Sequence, residues 1–101
     1  MVGYVYILRS LKDHKKYIGS TTDLNRRIKE HNKGNVFSTK RRLPMILEMF
    51  QFCNSIEEAA RLEKKYKNSH GFLERAIRRG DFIYNKDASA GLTPSGQRGV
   101  V

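Results

Sequence analysis

Two short segments rich in β-branched and aromatic residues, joined by a polar turn, constrain the fold of this chain more than any other feature. The segments are Tyr4 to Leu8 and Lys16 to Ser20. Such residues favour extended backbone, and so short a connection joins antiparallel strands. The sequence therefore predicts an antiparallel hairpin. Because side chains alternate along a strand, we expect Val5 and Tyr6 to point to opposite faces of the sheet.

The rest of the chain predicts three helices and one further strand. Capping residues at 21–23 begin the first helix, and Gly71 separates the last two helices. The predicted elements are a helix to about residue 31, a strand over 45–52, a helix from 54 or 55 to about 67–69, and a short helix over 72–79. The fold class predicted is α+β, a small three-stranded antiparallel sheet flanked by helices in the order β-β-α-β-α-α.

The length of 101 residues predicts one small domain over 1–85. From Lys86 onward the chain is rich in Gly, Ser, Ala and Pro, so we expect a flexible tail over 86–101. No apolar run approaches the roughly 20 residues of a membrane span. The N-terminal residues lack a secretory pattern. A single cysteine, Cys53, excludes a zinc module of several cysteines within this chain. A cytoplasmic location is the expectation.

The charge balance of the chain points to a polyanionic partner. There are 20 Lys and Arg against 10 Asp and Glu, which gives a net charge of +10. Electrostatic attraction supplies most of the sequence-independent affinity of proteins for nucleic acid. We therefore expect a nucleic-acid partner, with DNA favoured over RNA, and no membrane partner. The alternative is a solvated basic surface without a polyanionic ligand.

Two polar residues interrupt the apolar side of the first predicted helix. Leu24, Arg27, Ile28 and His31 follow the i, i+3, i+4, i+7 spacing of a core-facing stripe. The guanidinium fork suits phosphate oxygens, and imidazole exchanges protons near neutral pH. Arg27 and His31 are therefore candidate site residues. The alternative is a slightly rotated helix that leaves both at its solvent edge.

The second long helix has a similar exception on its apolar stripe, where Glu63 follows Ile56, Ala59 and Ala60. An inward carboxylate is a reasonable ligand for Mg²⁺, which takes few protein ligands and keeps several waters. The alternative for Glu63 is an ion pair with a nearby Lys or Arg.

The two strands of the hairpin add further candidates. Tyr6 and Tyr17 are either core aromatics or site residues whose phenol pKa is lowered by neighbouring positive charge. Gly19 removes a side chain from the sheet, which leaves space for a substrate backbone to approach. Lys16 is a candidate phosphate contact, with a solvated surface lysine as the alternative.

Taken together, these residues resemble the GIY-YIG nuclease family. Residues 17–19, Tyr-Ile-Gly, match the second half of the family's name, and residues 4–6, Tyr-Val-Tyr, stand where the first half belongs. The first helix then supplies the family's arginine at Arg27 and its histidine at His31. Glu63 matches the metal-binding glutamate.

The resemblance implies hydrolysis of a phosphodiester with one divalent ion, Mg²⁺, for which Mn²⁺ can substitute. Glu63 would bind the ion and Arg27 would stabilise charge on the phosphate. Tyr6, Tyr17 or His31 would activate or position the attacking water, and the sequence leaves open which of them is the base.

Two further sets of residues follow from the resemblance and from the charge. The family's final asparagine has its nearest match in Asn85. A basic loop over 33–42 offers Lys40, Arg41 and Arg42 as substrate contacts. Contacts of this kind hold a nucleic-acid backbone without reading its sequence.

The sequence therefore favours a metal-dependent endonuclease of repair, recombination or mobile-element type, acting on DNA with low sequence specificity. Structured or single-stranded DNA is the preferred substrate in this interpretation. The first alternative is a catalytically weak nucleic-acid-binding adaptor, and the second is a basic protein-interaction domain that uses the surface of Met45 to Phe52. The sequence does not fix the oligomeric state.

Overall fold

The computed structural model describes residues 1–86 as an antiparallel sheet with three helices. The elements are β1 (Gly3–Ser10), β2 (Lys16–Thr21), α1 (Leu24–Asn32), β3 (Met45–Cys53), α2 (Ile56–Asn68), α3 (His70–Arg79) and β4 (Ile83–Tyr84). The strand order is β2-β1-β3-β4. The α+β class and the predicted order of the first six elements are confirmed. Among residues 1–86, no helix is both long and apolar enough to cross a lipid bilayer.

The sheet has four strands, so the prediction of three was wrong. The additional strand, β4, pairs antiparallel with Met49 and Phe50 of β3. It contains only two residues, and both are exposed. A segment of two residues is too short to show the alternation by which a strand is predicted. The predicted tail over 86–101 lies outside the described residues except for Lys86, and it stays a prediction.

The central strand β1 separates two apolar clusters, as its alternating side chains predict. Val5 and Ile7 are fully buried against α2 and α3. Tyr6 and Leu8 are buried on the opposite face, where α1 packs through Leu24 and its neighbours. Helices therefore cover both faces of β1. Side chains from α1 and α2 can therefore approach each other only around an edge of the sheet, and β2 is the edge strand next to β1.

The helix boundaries follow side-chain caps. The Ser55 and Ser69 hydroxyls accept hydrogen bonds from the third residue after each of them, which begins α2 and α3. Because Ser69 both ends α2 and caps α3, no linker separates these helices. Gly71 lies inside α3, so its predicted role as a separator was wrong. Gly80, with φ of 91°, ends α3 in the left-handed conformation that glycine adopts readily.

Asn32 fixes the end of α1 against the sheet. Its side-chain Nδ2 donates to the carbonyl of Met45 over 2.9 Å, and its Oδ1 accepts from the Met45 N–H over 2.8 Å. The amide thus reproduces the pairing of a neighbouring strand at the start of β3. As a result, the residue before it, His31, is held over the sheet.

Gly3 is required by close contact between β1 and the start of α2. A Cβ at Gly3 would lie 2.7 Å from Ile56 Cα and 2.8 Å from the Ser55 carbonyl oxygen. We predict that Gly3→Ala lowers the free energy of unfolding by about 1–3 kcal/mol, because backbone on both sides must shift. Urea unfolding monitored by circular dichroism measures this change.

Gly71→Ala is the matched control, since a Cβ there meets only the end of the flexible Arg75 side chain, at 3.4 Å. Alanine is also the better helix former. The free energy of unfolding of Gly71→Ala should be unchanged or slightly higher. If it falls as much as that of Gly3→Ala, the close contact between Gly3 and the start of α2 is not the cause.

Candidate active site

A buried chain of hydrogen bonds joins β1, α1 and the loop after α1. Tyr6 Oη lies 2.9 Å from His31 Nε2, and His31 Nδ1 lies 2.7 Å from Thr39 Oγ1. Arg27 Nε donates to Tyr6 Oη over 3.4 Å. The side chains of Tyr6, His31 and Thr39 are almost completely inaccessible to solvent. Three elements that are distant in sequence are therefore fixed at one point.

Both central groups of this chain are uncharged at neutral pH. Burial raises the pKa of Tyr6 to about 12, although the hydrogen bond from Arg27 opposes the rise. Burial, with a smaller effect from the Arg27 charge, lowers the pKa of His31 to about 4. The expected effect of positive charge is therefore present at Tyr6 but is smaller than the effect of burial, so the pKa of this phenol is raised. Removal from water outweighs the attraction of one guanidinium.

These charge states assign the direction of each hydrogen bond. Arg27 has only donors, so Tyr6 Oη accepts from it. The phenol keeps its own proton and donates it to His31 Nε2, which leaves the imidazole proton on Nδ1 to be donated to Thr39 Oγ1. The imidazole tautomer is thus set by its two partners. One lone pair of the Tyr6 oxygen accepts no hydrogen bond from residues 1–86.

Tyr17 lies beside this chain on the edge strand β2. Its ring centroid is 5.2 Å from that of His31 and 6.4 Å from that of Tyr6. Tyr17 is partly exposed, whereas Tyr6 is not. Tyr17 is therefore placed as the wall between the buried hydrogen bonds and the solvent at the sheet edge.

Gly19 is opposite Tyr6 in the β1–β2 pairing, and its role differs from the predicted one. A Cβ on Gly19 would lie 2.4 Å from Tyr6 Oη and 2.5 Å from Tyr6 Cζ. The space above this glycine is therefore occupied by the phenol ring, and it is not open to a substrate backbone. The glycine instead allows the ring to lie flat across β2 and to reach His31.

Arg27 links the buried hydrogen bonds to the surface. Its side chain is 35% exposed, and its Nη1 donates to Glu30 over 2.9 Å. Hydrogen bonds to Tyr6 and Glu30 raise the pKa of Arg27 further, so the guanidinium stays charged. Its Nη2 has no hydrogen-bond partner within residues 1–86. The helix thus points His31 inward and leaves one edge of the Arg27 fork available to an anion.

Glu63 reaches the same region from α2, around the β2 edge. Its Oε1 accepts from Ser20 Oγ over 2.6 Å, and its Oε2 accepts from Lys67 Nζ over 2.6 Å. The carboxylate is 22% exposed. It acts electrostatically on Tyr6, where its charge contributes to the raised phenol pKa. The ion pair that the sequence offered as an alternative is therefore present.

The donor set around Glu63 fits a magnesium ion that keeps most of its water. Within residues 1–86, no group of three or more His, Cys, Asp and Glu side chains is arranged to hold a metal. Mg²⁺ does not need one, because one or two carboxylates and several waters are a common set of ligands. The Ser20 hydrogen bond fixes the carboxylate, and the Lys67 ammonium already occupies a position suited to a cation.

The predicted substrate contacts fall into two groups. Lys16 lies on an open cavity of about 420 Å³ next to Tyr17. Lys40 and Arg41 are exposed on the loop that also contains Thr39. All three cations are therefore on the surface of the protein.

Arg42 differs from these residues because the fold already uses its guanidinium. It pairs with Asp13 over 2.9 Å and donates to the carbonyl oxygens of Lys15 and Lys16. Arg42 therefore connects the basic loop to the β1–β2 turn.

Asn85, the predicted match to the family's final asparagine, forms hydrogen bonds with the backbone of β3. Its Nδ2 donates to the Leu47 carbonyl oxygen and its N–H donates to the Glu48 carbonyl oxygen, at 2.9 Å each.

Three residues of the site were not identified from the sequence: Ser20, Thr39 and Lys67. Lys67 follows Glu63 by four residues, a spacing at which helical ion pairs form, so a signal was available. Ser20 follows Gly19 and must face α2 by alternation, which was also readable. Thr39 lies in a loop without periodicity, and its burial had no local signal.

Comparison with known proteins is consistent with the family resemblance. The model of the GIY-YIG catalytic domain matches residues 2–75. A UPF0213 protein of Streptococcus agalactiae serotype V is 40% identical over 65 residues, which cover 63% of this chain and 73% of the relative. A UPF0213 protein of Staphylococcus haemolyticus is 40% identical over 65 residues, covering 63% of this chain and 78% of the relative.

A solved structure is also similar to this chain. The solution NMR structure of a UPF0213 protein from Bacillus halodurans has 38% sequence identity and a TM-score of 0.48. The match covers 80% of this chain and 87% of that chain.

The buried neutral imidazole makes stability depend on pH. The unfolded chain protonates His31 near its ordinary pKa of 6.5, whereas the folded protein does so only near 4. As pH falls through this window, the unfolded state binds protons first and stability is lost. We predict that the free energy of unfolding falls by about 3 kcal/mol between pH 6.5 and pH 4. The His31→Gln variant should not show this loss. The measurement is urea unfolding at a series of pH values.

His70→Gln serves as the control because the His70 side chain is 83% exposed. The His70→Gln variant should show the same dependence of the free energy of unfolding on pH as the unmodified protein. If His31→Gln also shows that dependence, the His31 imidazole is not held neutral by the fold.

Proposed function

The chain belongs to the GIY-YIG family of nucleases, and from that premise we propose that it is a divalent-metal-dependent endonuclease that hydrolyses phosphodiester bonds in DNA. One observation supports this proposal above all others. The Arg27 guanidinium and the imidazole of His31 both contact the Tyr6 phenol, and the Glu63 carboxylate, held by Ser20 of β2, acts electrostatically on the same phenol, although these groups come from β1, α1 and α2. Binding alone would not require the buried proton donor and acceptor.

Arg27 would bind the scissile phosphate. The open Nη2 of its fork can donate to a non-bridging oxygen, while Nε and Nη1 remain on Tyr6 and Glu30. Because these two bonds fix the guanidinium beforehand, little reorganisation is needed when negative charge develops on the phosphate. This pre-positioned charge is the main rate-enhancing contribution that we assign to the chain itself.

Tyr6 and His31 would handle the proton of the attacking water. The free lone pair of Tyr6 Oη can accept a hydrogen bond from water, and the phenol proton can pass to His31 Nε2 as the water proton arrives. The phenol then never becomes a free phenolate, which its pKa of about 12 disfavours. The imidazolium formed is unstable in its buried position, so the proton is returned readily. Tyr17 would shape the entrance.

Glu63 would hold the divalent ion, with Ser20 orienting its carboxylate. When bound, Mg²⁺ or Mn²⁺ supplies stabilisation of the phosphate charge and of the departing oxygen. The fit rests on the Glu63 carboxylate and its hydroxyl partner Ser20.

The proposed substrate is DNA bound mainly through its backbone. The net charge of +10 and the exposed cations Lys16, Lys40 and Arg41 support contact with phosphates and give no means of reading bases. We therefore propose low sequence specificity, with structured or single-stranded DNA preferred. One site cuts one strand, so cleavage of both strands of a duplex would need two sites or two encounters.

A nucleic-acid-binding adaptor is the second candidate. The observation in its favour is the Lys67–Glu63 ion pair, which neutralises the carboxylate that the nuclease needs. Metal-dependent nicking of branched, single-stranded or duplex DNA separates the two functions, since an adaptor would bind these DNAs without cutting them.

We predict that Glu63→Gln reduces cleavage by on the order of 10²-fold or more, because the amide cannot replace the anionic ligand. The variant keeps an oxygen to accept from Ser20, so folding should be preserved. Cleavage is measured on labelled DNA with Mg²⁺, with Mn²⁺ and with chelator. Glu57→Gln, on the exposed side of α2, is the control and should cut normally. Normal cleavage by Glu63→Gln would contradict the proposed role.

We also predict that Arg27→Met lowers kcat by about 10²–10³-fold, as expected for the loss of a pre-positioned charge. Arg26→Met removes the neighbouring charge, which is 58% exposed and pairs with the same Glu30. It should change kcat by no more than about twofold, since surface charges contribute little. Single-turnover cleavage with saturating protein measures both variants, and equal losses would show a general charge effect.

A further inference from the structure

Lys67 connects the proposed metal ligand to the surface that DNA would approach. Its ammonium is 2.6 Å from Glu63 Oε2 and 5.4 Å from the centroid of the Tyr17 ring. The same side chain lines the 420 Å³ cavity, together with Lys16 and Tyr17. It is the cation closest to the carboxylate among the described residues, and its side chain is 44% exposed.

We propose that Lys67 is a substrate-controlled gate on the cation site. In the DNA-free protein its ammonium neutralises Glu63 and competes with the divalent ion for the carboxylate. When a DNA strand enters the adjacent cavity, a phosphate takes the ammonium and frees the carboxylate. This inference rests on the proposed function, because it assigns a regulator to the same site.

Lys67 and a divalent cation exclude each other at Glu63. The Ser20 hydroxyl occupies one carboxylate oxygen and the Lys67 ammonium occupies the other, at 2.6 Å in each case. A metal ion on the second oxygen would lie within a few ångströms of the ammonium, and like charges at such a distance repel strongly. The ammonium must therefore leave before or as the ion binds.

The ammonium can leave at small cost. The pair is an i,i+4 pair on a helix and is partly exposed, so its contribution is of the small size typical of such contacts. The lysine stem is flexible. The cavity offers the ammonium a new position beside Lys16, where a phosphate would replace the carboxylate as its partner. A competing anion can therefore draw the Lys67 ammonium away from Glu63.

Such exchange couples metal binding to DNA binding. If DNA removes the competitor from Glu63, DNA tightens metal binding, and by linkage the metal tightens DNA binding by the same factor. The protein without DNA would then bind the metal more weakly than the complex does, which favours hydrolysis in the complex.

The test compares Lys67→Met with Lys64→Met in the absence of DNA. Lys64 is exposed on the same helix. Its variant loses an equal charge but keeps the Lys67 ion pair with Glu63. Mn²⁺ binding is measured by electron paramagnetic resonance at low salt, and circular dichroism confirms folding. We expect Lys67→Met to bind Mn²⁺ about threefold or more tightly than the unmodified protein. Equal affinity in the two variants would overturn the gate.

A second measurement adds a short phosphorothioate oligodeoxythymidylate, which keeps the backbone charge and resists hydrolysis. The oligonucleotide should tighten Mn²⁺ binding by the unmodified protein and by Lys64→Met. It should have a smaller effect on Lys67→Met, in which the competitor is already absent. The same enhancement in all three proteins would also overturn the proposal.

Glu63→Gln separates failure of the gate from failure of the proposed function. If this variant binds Mn²⁺ as tightly as the unmodified protein does, Glu63 is not the ligand and both proposals fall. If it loses Mn²⁺ while Lys67→Met behaves like Lys64→Met, the gate falls and the nuclease proposal stands.

Discussion

The hydrogen bond between Tyr6 and His31 is the interaction on which the rest of the site depends. It is buried between the sheet and α1, so each partner must satisfy the other or lose stability. Gly19 exists as a glycine because the phenol crosses β2 to make this bond. Thr39 then fixes the far side of the imidazole and holds the basic loop over α1. One polar contact thus orders a strand, a helix and a loop together.

The second constraint is the position of β2 at the edge of the sheet. Helices α1 and α2 lie on opposite faces, so a site that combines Arg27 with Glu63 can form only where the sheet ends. Tyr17 and Ser20 are on that edge, with one facing each helix. A central strand at this position would have separated the guanidinium from the carboxylate. The strand order therefore matters as much to the site as the residues themselves.

Most of the fold could be predicted because it follows from the pattern of apolar and polar residues within each strand and helix. Alternation along β1 predicts which residues face each cluster, and the stripe on α1 predicts an inward His31. The failures have a common physical cause, which is tertiary contact without a local signal. The two-residue β4 exists only because β3 offers it a partner. Thr39 is buried by the packing of a loop, and Gly71 is helical because the Ser69 cap precedes it.

The two interpretations of Glu63 show a different limit of sequence reasoning. An ion pair and a metal ligand are alternatives at the level of sequence, yet both require a half-buried carboxylate beside a place that favours positive charge. The structure satisfies this requirement with Lys67, four residues further along α2. The ammonium prevents an uncompensated charge from lying next to the low-dielectric region around Tyr6, whose pKa is already raised by burial. If Glu63 holds the metal that we propose, the carboxylate needs such a partner in the metal-free protein, so the ion pair is compatible with either function.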